Sequence, residues 1–432
     1  VSPGFERLQK AATAGAEYVA SGGWQLMSGT RDGRSELERQ IARHRAGFAM
    51  ARYFFHSPDV YDIERRQILF RSWLFAGHVS QLPNPGDFLQ FEIAGEAVLV
   101  VRDRANVVHA LLNVCRHRGA RVCEAASGNT PSFTCPYHGW AYDLDGALKR
   151  ARDFPEVDCE RYGLHKLRIV VDHGLIFINF SADAADFAPE LALIEPALAS
   201  FELSRAKVAD IRSCRVGANW KLALENYLEC YHCATAHRAY SRSHTLKARE
   251  DEVAQINAVM LAESEAKTGI AGLGIERYHA YTEAPSPGGG VDSSRYALYD
   301  GFVTGSRDGK PLAPLMGQYR GYDGGAGDFQ FGPLAFMLGY PDHCVLYRFT
   351  PLGLDQTDMT VMWLVRDDAQ EGADYDLDAL TWLWDHTTRE DEYIIRRDAA
   401  GVASEFFEPG PYPPQFEAMC INFTRWYLQQ LR

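Results

Sequence analysis

The chain has 432 residues, 46% of them hydrophobic, and a formal net charge of −13. That length supports two or more domains with a sizeable core, and the acidic balance speaks against nucleic acid and anionic membrane surfaces as partners while agreeing with a small cationic substrate. No run of about 18 uninterrupted apolar residues occurs, so no transmembrane helix is expected.

Residues up to about Arg45 read as polar and irregular, and residues 48–73 then alternate apolar and charged positions at helical spacing. From Gly86 the pattern becomes short β-rich runs at 87–93, 97–102 and 107–114, bounded by Gly, Asn and Pro. Residues 169–180 read as a strand pair turning at His173 and Gly174. Beyond Pro189 helix and strand alternate. Strands are expected at 208–216, 329–338, 343–352 and 359–366, and helices at 219–235, capped by Asn219, and at 379–397. Residues 269–327 are rich in Gly, Ser, Pro and Asp and read as mobile loops over a pocket. The nine cysteines lack the spacing of a disulfide scaffold, and the N-terminal stretch has no recognisable secretory signal, so a cytoplasmic protein with reduced thiols is the simplest expectation.

Two constellations carry chemistry. Cys115-Arg-His117 and Cys135-Pro-Tyr-His138 supply two thiolates and two imidazoles, as in a Rieske [2Fe-2S] centre, where His replaces Cys on one iron. A structural zinc site uses the same donors, but such sites usually group Cys with Cys and His with His, whereas both pairs here are mixed. Gly119 and Gly139 follow the two ligand stretches, where the backbone must turn tightly beside sulfur. The second constellation lies in Glu225-Asn-Tyr-Leu-Glu229-Cys-Tyr-His232, with His237 beyond it. On one helix Glu225, Glu229 and His232 would share a stripe, and the helix would have to end, bulge or bend for His232 and His237 to reach one metal. Two histidines need a carboxylate to complete the facial triad of a non-haem iron site. A late, mostly buried helix offers Asp391 beside Glu390, with Asp385 as second choice. Cys230 and Cys233 form a C-x2-C without a partner pair and read as packing residues.

The segments Cys115-Arg-His-Arg-Gly-Ala-Arg and Cys135-Pro-Tyr-His-Gly-Trp-Ala-Tyr resemble the two cluster loops of Rieske-type non-haem iron oxygenases. The resemblance implies an α+β architecture: a Rieske β-sandwich beside a helix-grip (START/Bet v 1-like) catalytic domain with an antiparallel sheet. The expected divisions are an N-terminal helical segment at 1–72 packing on the catalytic domain, the Rieske domain at 73–185 and the catalytic domain at 186–432. It also implies a [2Fe-2S] cluster on Cys115, His117, Cys135 and His138, Fe(II) on His232, His237 and Asp391, and O2 as co-substrate. No G-x-G-x-x-G loop is present, so NAD(P)H would act through a separate flavin and iron-sulfur reductase. In this family an acid just before the first iron histidine links the iron site to the cluster histidine of a neighbouring subunit, usually in a trimer. Here the acid is Glu229, as in the smaller group acting on quaternary ammonium compounds. The expected reaction is hydroxylation of an N-methyl group and loss of formaldehyde, with proline betaine the first substrate and glycine betaine or carnitine next. The alternative is the alpha subunit of an aromatic-ring dioxygenase.

Overall fold

The computed structural model describes residues 31–274, 276–281 and 289–432. The helix Arg31–Arg43 belongs to a unit of its own, in which Glu36 accepts a hydrogen bond from Gln40 at 2.7 Å, where irregular chain was expected. Residues 1–30 of the expected N-terminal segment lie outside the described residues.

The main unit, His44 to Arg432, is α+β. Its first part is built of small antiparallel sheets. One runs in the order Val108–Leu112, Glu96–Arg102, Asp87–Ile93, Ser127–Asn129, and another joins Phe133–Thr134, Ala141–Tyr142 and Leu148–Arg150. Phe88, Leu99, Val101, Leu111, Phe133 and Tyr142 form the core that these strands enclose, and Cys115 and Cys135 are part of it. A third sheet pairs Leu74–His78 with Leu175–Asn179 and Arg168–Asp172. The hairpin of that sheet turns at His173 (φ +49°) and Gly174 (φ +80°), two successive left-handed residues that match the twist of the strands.

The second part is a seven-stranded antiparallel sheet ordered Ala206–Val216, Gln356–Arg366, Cys344–Gly353, Ala335–Gly339, Gly325–Phe331, Val291–Ala297, Arg277–Tyr278. The single strand expected at 329–338 is a hairpin instead. Gly332 takes φ +64° and Pro333 has no N–H to donate, so the chain reverses and Phe331 pairs with Ala335. The supposed loop region 269–327 supplies two strands of this sheet, while 275 and 282–288 lie outside the described residues.

The long helix Leu377–Val402 packs on the strand Ala206–Val216. Asp376 caps it, accepting the Ala379 amide at 2.8 Å. Leu380, Trp384, Thr387 and Ile395 are buried at helical spacing, and Asp391 falls on the same stripe. Three helices were not anticipated: Ala188–Leu198, Glu250–Thr268 and Pro414–Gln430. In place of one helical run at 48–73 there are short helices Tyr53–His56 and Pro58–Glu64 and a π-helical turn Arg65–Leu69. Pro58 fits the first helical turn, where no N–H is needed, and so starts a new helix there.

A buried charge network ties these pieces to the helix Trp220–Tyr227. Glu64 accepts from Lys221 at 2.5 Å, from Trp220 Nε1 at 2.8 Å and from the Tyr427 hydroxyl. Both members of the pair have fully buried side chains. Removing one partner leaves an uncompensated buried charge, so Lys221→Met should lower the unfolding free energy by about 3–5 kcal/mol in denaturant titration, and Glu64→Gln in the same chain should recover part of it.

Candidate metal centres and cavity

The two cluster loops share one geometry. The Cys115 amide donates to the Ala120 carbonyl at 2.8 Å and the Gly119 amide to the Cys115 carbonyl at 2.9 Å; the Cys135 amide donates to Trp140 at 2.8 Å and Gly139 to Cys135 at 3.0 Å. Gly119 (φ +80°) and Gly139 (φ +72°) permit these reversals. The loops set the two cysteines in the core and bring His117 Nδ1 within 3.1 Å of His138 Nδ1. His117 is exposed and stacks on the Trp140 ring, with centroids 4.9 Å apart. The Tyr142 hydroxyl lies 3.2 Å from Cys115 Sγ and accepts the Arg116 amide at 3.0 Å. Two buried sulfurs with two facing imidazole nitrogens nearer the surface suit a Rieske cluster with its histidine edge outward.

The second centre depends on a break in the chain. The expected helix at 219–235 ends at Tyr227, is followed by turns, and resumes only as Cys233–Ala236. Asn219 is the N-cap, accepting the Lys221 amide at 3.2 Å. Glu229 Oε2 accepts the amides of Tyr231 and His232, which draws the backbone out of the helix. Glu225 therefore shares no stripe with Glu229 and His232. It is turned toward Tyr412, whose hydroxyl donates to it at 3.2 Å, and burial followed by the charge of Asp398 pushes its carboxyl up to about 8. The same break brings Cys230 and Cys233 to a Cα separation of 4.9 Å, and they form a disulfide where reduced packing residues were expected.

From this irregular segment His232 and His237 meet Asp391 of the long helix. His232 Nε2 and His237 Nε2 are 3.0 Å apart, and Asp391 Oδ1 lies 3.3 Å from the first and 2.9 Å from the second. Asp391 Oδ1 is buried and, despite both nitrogens beside it, has no partner in hydrogen-bonding geometry among the described residues. Three donor atoms gathered within 3.3 Å of one another fit a cation bound between them. Burial lowers His232, but Asp391 and Glu229 outweigh it and raise it to about 9; burial raises Asp391, but the two imidazoles hold it below its ordinary value.

The outer nitrogens are held as well. His232 Nδ1 lies 2.5 Å from Glu229 Oε1, and His237 Nδ1 lies 2.9 Å from Glu390 Oε2. Glu390 was not anticipated as a positioning residue; its place one residue before Asp391 was the available signal. Asn226, to which no role had been assigned, puts its amide nitrogen 3.4 Å from His232 Nε2. Asp385 is engaged by Arg212 at 2.9 Å and Arg389 at 3.1 Å. Cys233 Sγ is within 4.8 Å of both histidines but is committed to its disulfide.

The donor atoms open onto a cavity of about 490 Å³. Tyr227, Tyr240, Tyr296, Trp384, Asp328 and Leu338 are among its walls. Tyr227 packs 4.3 Å from Phe336 and 5.2 Å from Tyr347, and Tyr240 stacks on His244 at 4.2 Å. The ring Tyr231 stacks on Phe416 of the C-terminal helix at 5.1 Å.

A cluster fold joined to a helix-grip domain with a histidine and carboxylate centre defines an oxygenase architecture, and the comparisons agree. Residues 72–162 match the Rieske [2Fe-2S] domain and residues 203–432 the ring hydroxylating alpha subunit catalytic domain. The chain belongs to the Rieske non-haem iron oxygenases. It is 32% identical over 406 residues to the glycine betaine monooxygenase oxygenase subunit of Chromohalobacter salexigens, covering 93% of this chain and 89% of that one. It is 35% identical over 195 residues to the carnitine monooxygenase oxygenase subunit of Escherichia coli, covering 44% of this chain and 52% of the relative. The fold matches that of a solved quaternary ammonium Rieske monooxygenase with a TM-score of 0.69 at 20% identity, over 91% of this chain and 98% of the other. The cofactors are accordingly a [2Fe-2S] cluster and a non-haem iron, which removes the zinc alternative for the first constellation. Among the described residues no helix is long and apolar enough to cross a membrane.

Because Glu390 orients His237 without touching the donor point, Glu390→Gln should weaken iron retention about 10–100-fold in a chelator competition while leaving the cluster absorbance unchanged.

Proposed function

We propose that this chain is the terminal oxygenase that hydroxylates an N-methyl group of a small quaternary ammonium compound. The product is a hemiaminal that releases formaldehyde, so the net reaction is N-demethylation. O2 and two electrons from a separate reductase supply the oxidation, one oxygen atom entering the C–H bond and the other leaving as water.

The observation that carries this reading is the charge of the cavity. Its described walls include the acids Glu229, Glu250, Glu276, Asp328 and Asp391; the basic groups there are Arg295, already paired with Asp323 at 2.6 Å, and the imidazoles of His232 and His237, which face Asp391, so Glu250, Glu276 and Asp328 are left without a basic partner on the wall. A quaternary nitrogen cannot donate a hydrogen bond, so aromatic faces and carboxylates are what a site can offer it. Tyr227, Tyr240, Tyr296 and Trp384 supply such faces. Similarity to the glycine betaine and carnitine oxygenase subunits supports the same substrate class.

In this reading residues 73–185 form the cluster domain and 186–432 the catalytic domain. Cys115, His117, Cys135 and His138 hold the cluster, and His232, His237 and Asp391 hold the iron. Bound there, the iron supplies the activation of O2. Glu229 and Glu390 fix the two imidazoles through their Nδ1 atoms, and the enclosing rings keep bulk water from the reacting methyl group. Asp391→Ala should lower iron from three toward two per protomer, whereas Asp385→Ala should keep all three, because its carboxylate serves Arg212 and Arg389.

Turnover with proline betaine, then glycine betaine and carnitine, should yield one formaldehyde per O2 consumed. A cis-diol from an aromatic substrate with no formaldehyde from any of the three would replace this reading with the ring dioxygenase.

Glu229 is also the proposed link from the His232 imidazole to the cluster histidine of a neighbouring subunit in a homotrimer. Glu229→Gln keeps the side-chain size and should leave both metal sites and the oligomer intact, yet slow reoxidation of the pre-reduced cluster in rapid mixing with O2 and substrate. Wild-type rates in this variant, or full activity from a monomer, would remove the inter-subunit route.

A further inference from the structure

Asp328 stands in an unusual place for an aspartate. It is the central residue of the strand Gly325–Phe331, which lies inside the sheet and is paired on both sides. The other six residues of that strand are buried, and Asp328 alone keeps accessible surface. That surface opens into the cavity, because Asp328 is one of its lining residues. Its register partners Ser294 and Leu338 line the cavity too, so a row of three side chains crosses the sheet floor with the carboxylate at its centre.

Aspartate is disfavoured in strands, and a carboxylate withdrawn from water normally has a partner. Two nearby acids obey this rule. Asp323 is paired with Arg295 at 2.6 Å and accepts from Ser264 at 2.6 Å, and Asp292 accepts the amides of His279 at 2.5 Å and Ala280 at 2.7 Å. Asp328 has no ion-pair partner among the described residues; the Phe329 amide is the one backbone group that favours its charged form, and burial together with the neighbouring Asp292 outweighs it and pushes the carboxyl up to about 7. Around it stand tyrosines that also feel its charge: burial first, and then Asp328 among other groups, raises Tyr227, Tyr240, Tyr296 and Tyr340. The Tyr227 hydroxyl is buried without a hydrogen-bond partner among the described residues. A carboxylate without an ion-pair partner among the described residues, at the centre of a buried inner strand, marks a ligand-directed position.

Resting on the quaternary ammonium reading above, we propose that Asp328 is the counter-ion that selects the cationic head of the substrate, with the rings of Tyr227, Tyr240 and Tyr296 closing around it. The head it fits is a large, diffuse cation, a trimethylammonium or dimethylpyrrolidinium group, because three aromatic faces stand around the single carboxylate. Asp328 is thus a specificity-determining residue that does not belong to the iron ligand set.

The test compares glycine betaine with 3,3-dimethylbutanoate, which has a neutral tert-butyl group in place of trimethylammonium at nearly the same shape. Titration calorimetry on the metal-loaded wild-type protein should show glycine betaine binding more tightly by about tenfold or more. Asp328→Asn should remove most of that preference by weakening the cation while leaving the neutral analogue within about twofold, with KM raised far more than kcat is lowered and iron content unchanged. Asp328→Glu retains the charge and should retain the preference, which separates loss of charge from a packing defect. A wild-type protein indifferent to the pair, or an Asp328→Asn protein with the wild-type preference, overturns the assignment. If the preference follows the charge at Asp328 but no methylammonium compound yields formaldehyde, the counter-ion stands and the demethylation reading falls.

Discussion

The constraint on which the catalytic half depends is the meeting of two imidazoles and a carboxylate within 3.3 Å of one another at a largely buried point. The His237 side chain is 1% exposed and that of Asp391 14%. The carboxylate and the two imidazoles favour one another's charged forms, yet Asp391 Oδ1 has no partner in hydrogen-bonding geometry among the described residues. The surrounding structure holds the donors in place all the same. Glu229 and Glu390 fix the rings from outside, while Tyr347 and Thr388, whose hydroxyls are 2.8 Å apart, join the long helix to the sheet. A site held by its supports rather than by its own contacts is prepared for metal before the metal arrives.

Preparing it requires an irregular backbone. A continuous helix through Glu225 and His237 would have turned the two histidines to different faces, since five residues correspond to about 500° of rotation. The break at Leu228 resolves this, and three interactions maintain it: the amides captured by Glu229, the Cys230–Cys233 disulfide, and the buried Glu64–Lys221 pair that anchors the helix before the break. The cluster loops follow a different strategy. There the sulfurs are part of the domain core and the histidines emerge from it, so the same residues that pack the strands turn the two imidazoles toward the surface.

The cavity adds a second electrostatic layer. Most of its buried charges are neutralised internally, as with Arg295 and Asp323, and what remains at the wall is acidic. The wall therefore presents a negative, aromatic surface to whatever approaches the donor point.

The residues that the structure gathers at the two sites were legible in the chain because they come in short pairs, where local spacing nearly dictates shared geometry: Cys115 with His117, Cys135 with His138, His232 with His237. Asn219 as a cap, the turn at His173 and Gly174, and the strands flanking them were legible for the same reason, being set by contacts a few residues long. Asp391 was legible only in part. Its neighbours on the stripe of Leu380, Trp384, Thr387 and Ile395 mark it as inward-facing, whereas Asp385 points to Arg212 and Arg389. The rest was decided by tertiary structure. That Glu390 would hold His237, separated by 153 residues, that Lys221 would be buried against Glu64, and that a helix would break at Leu228 all depend on partners far away in sequence. Asp328 is the clearest case. In the chain it is one acid among 57 acidic residues, and only the register of Ser294, Asp328 and Leu338 across three strands places it at the centre of a cavity floor, with no ion-pair partner among the described residues. Local spacing determines which residues can act together, but burial and the absence of a partner are properties of the packed sheet, and no stretch of sequence contains them.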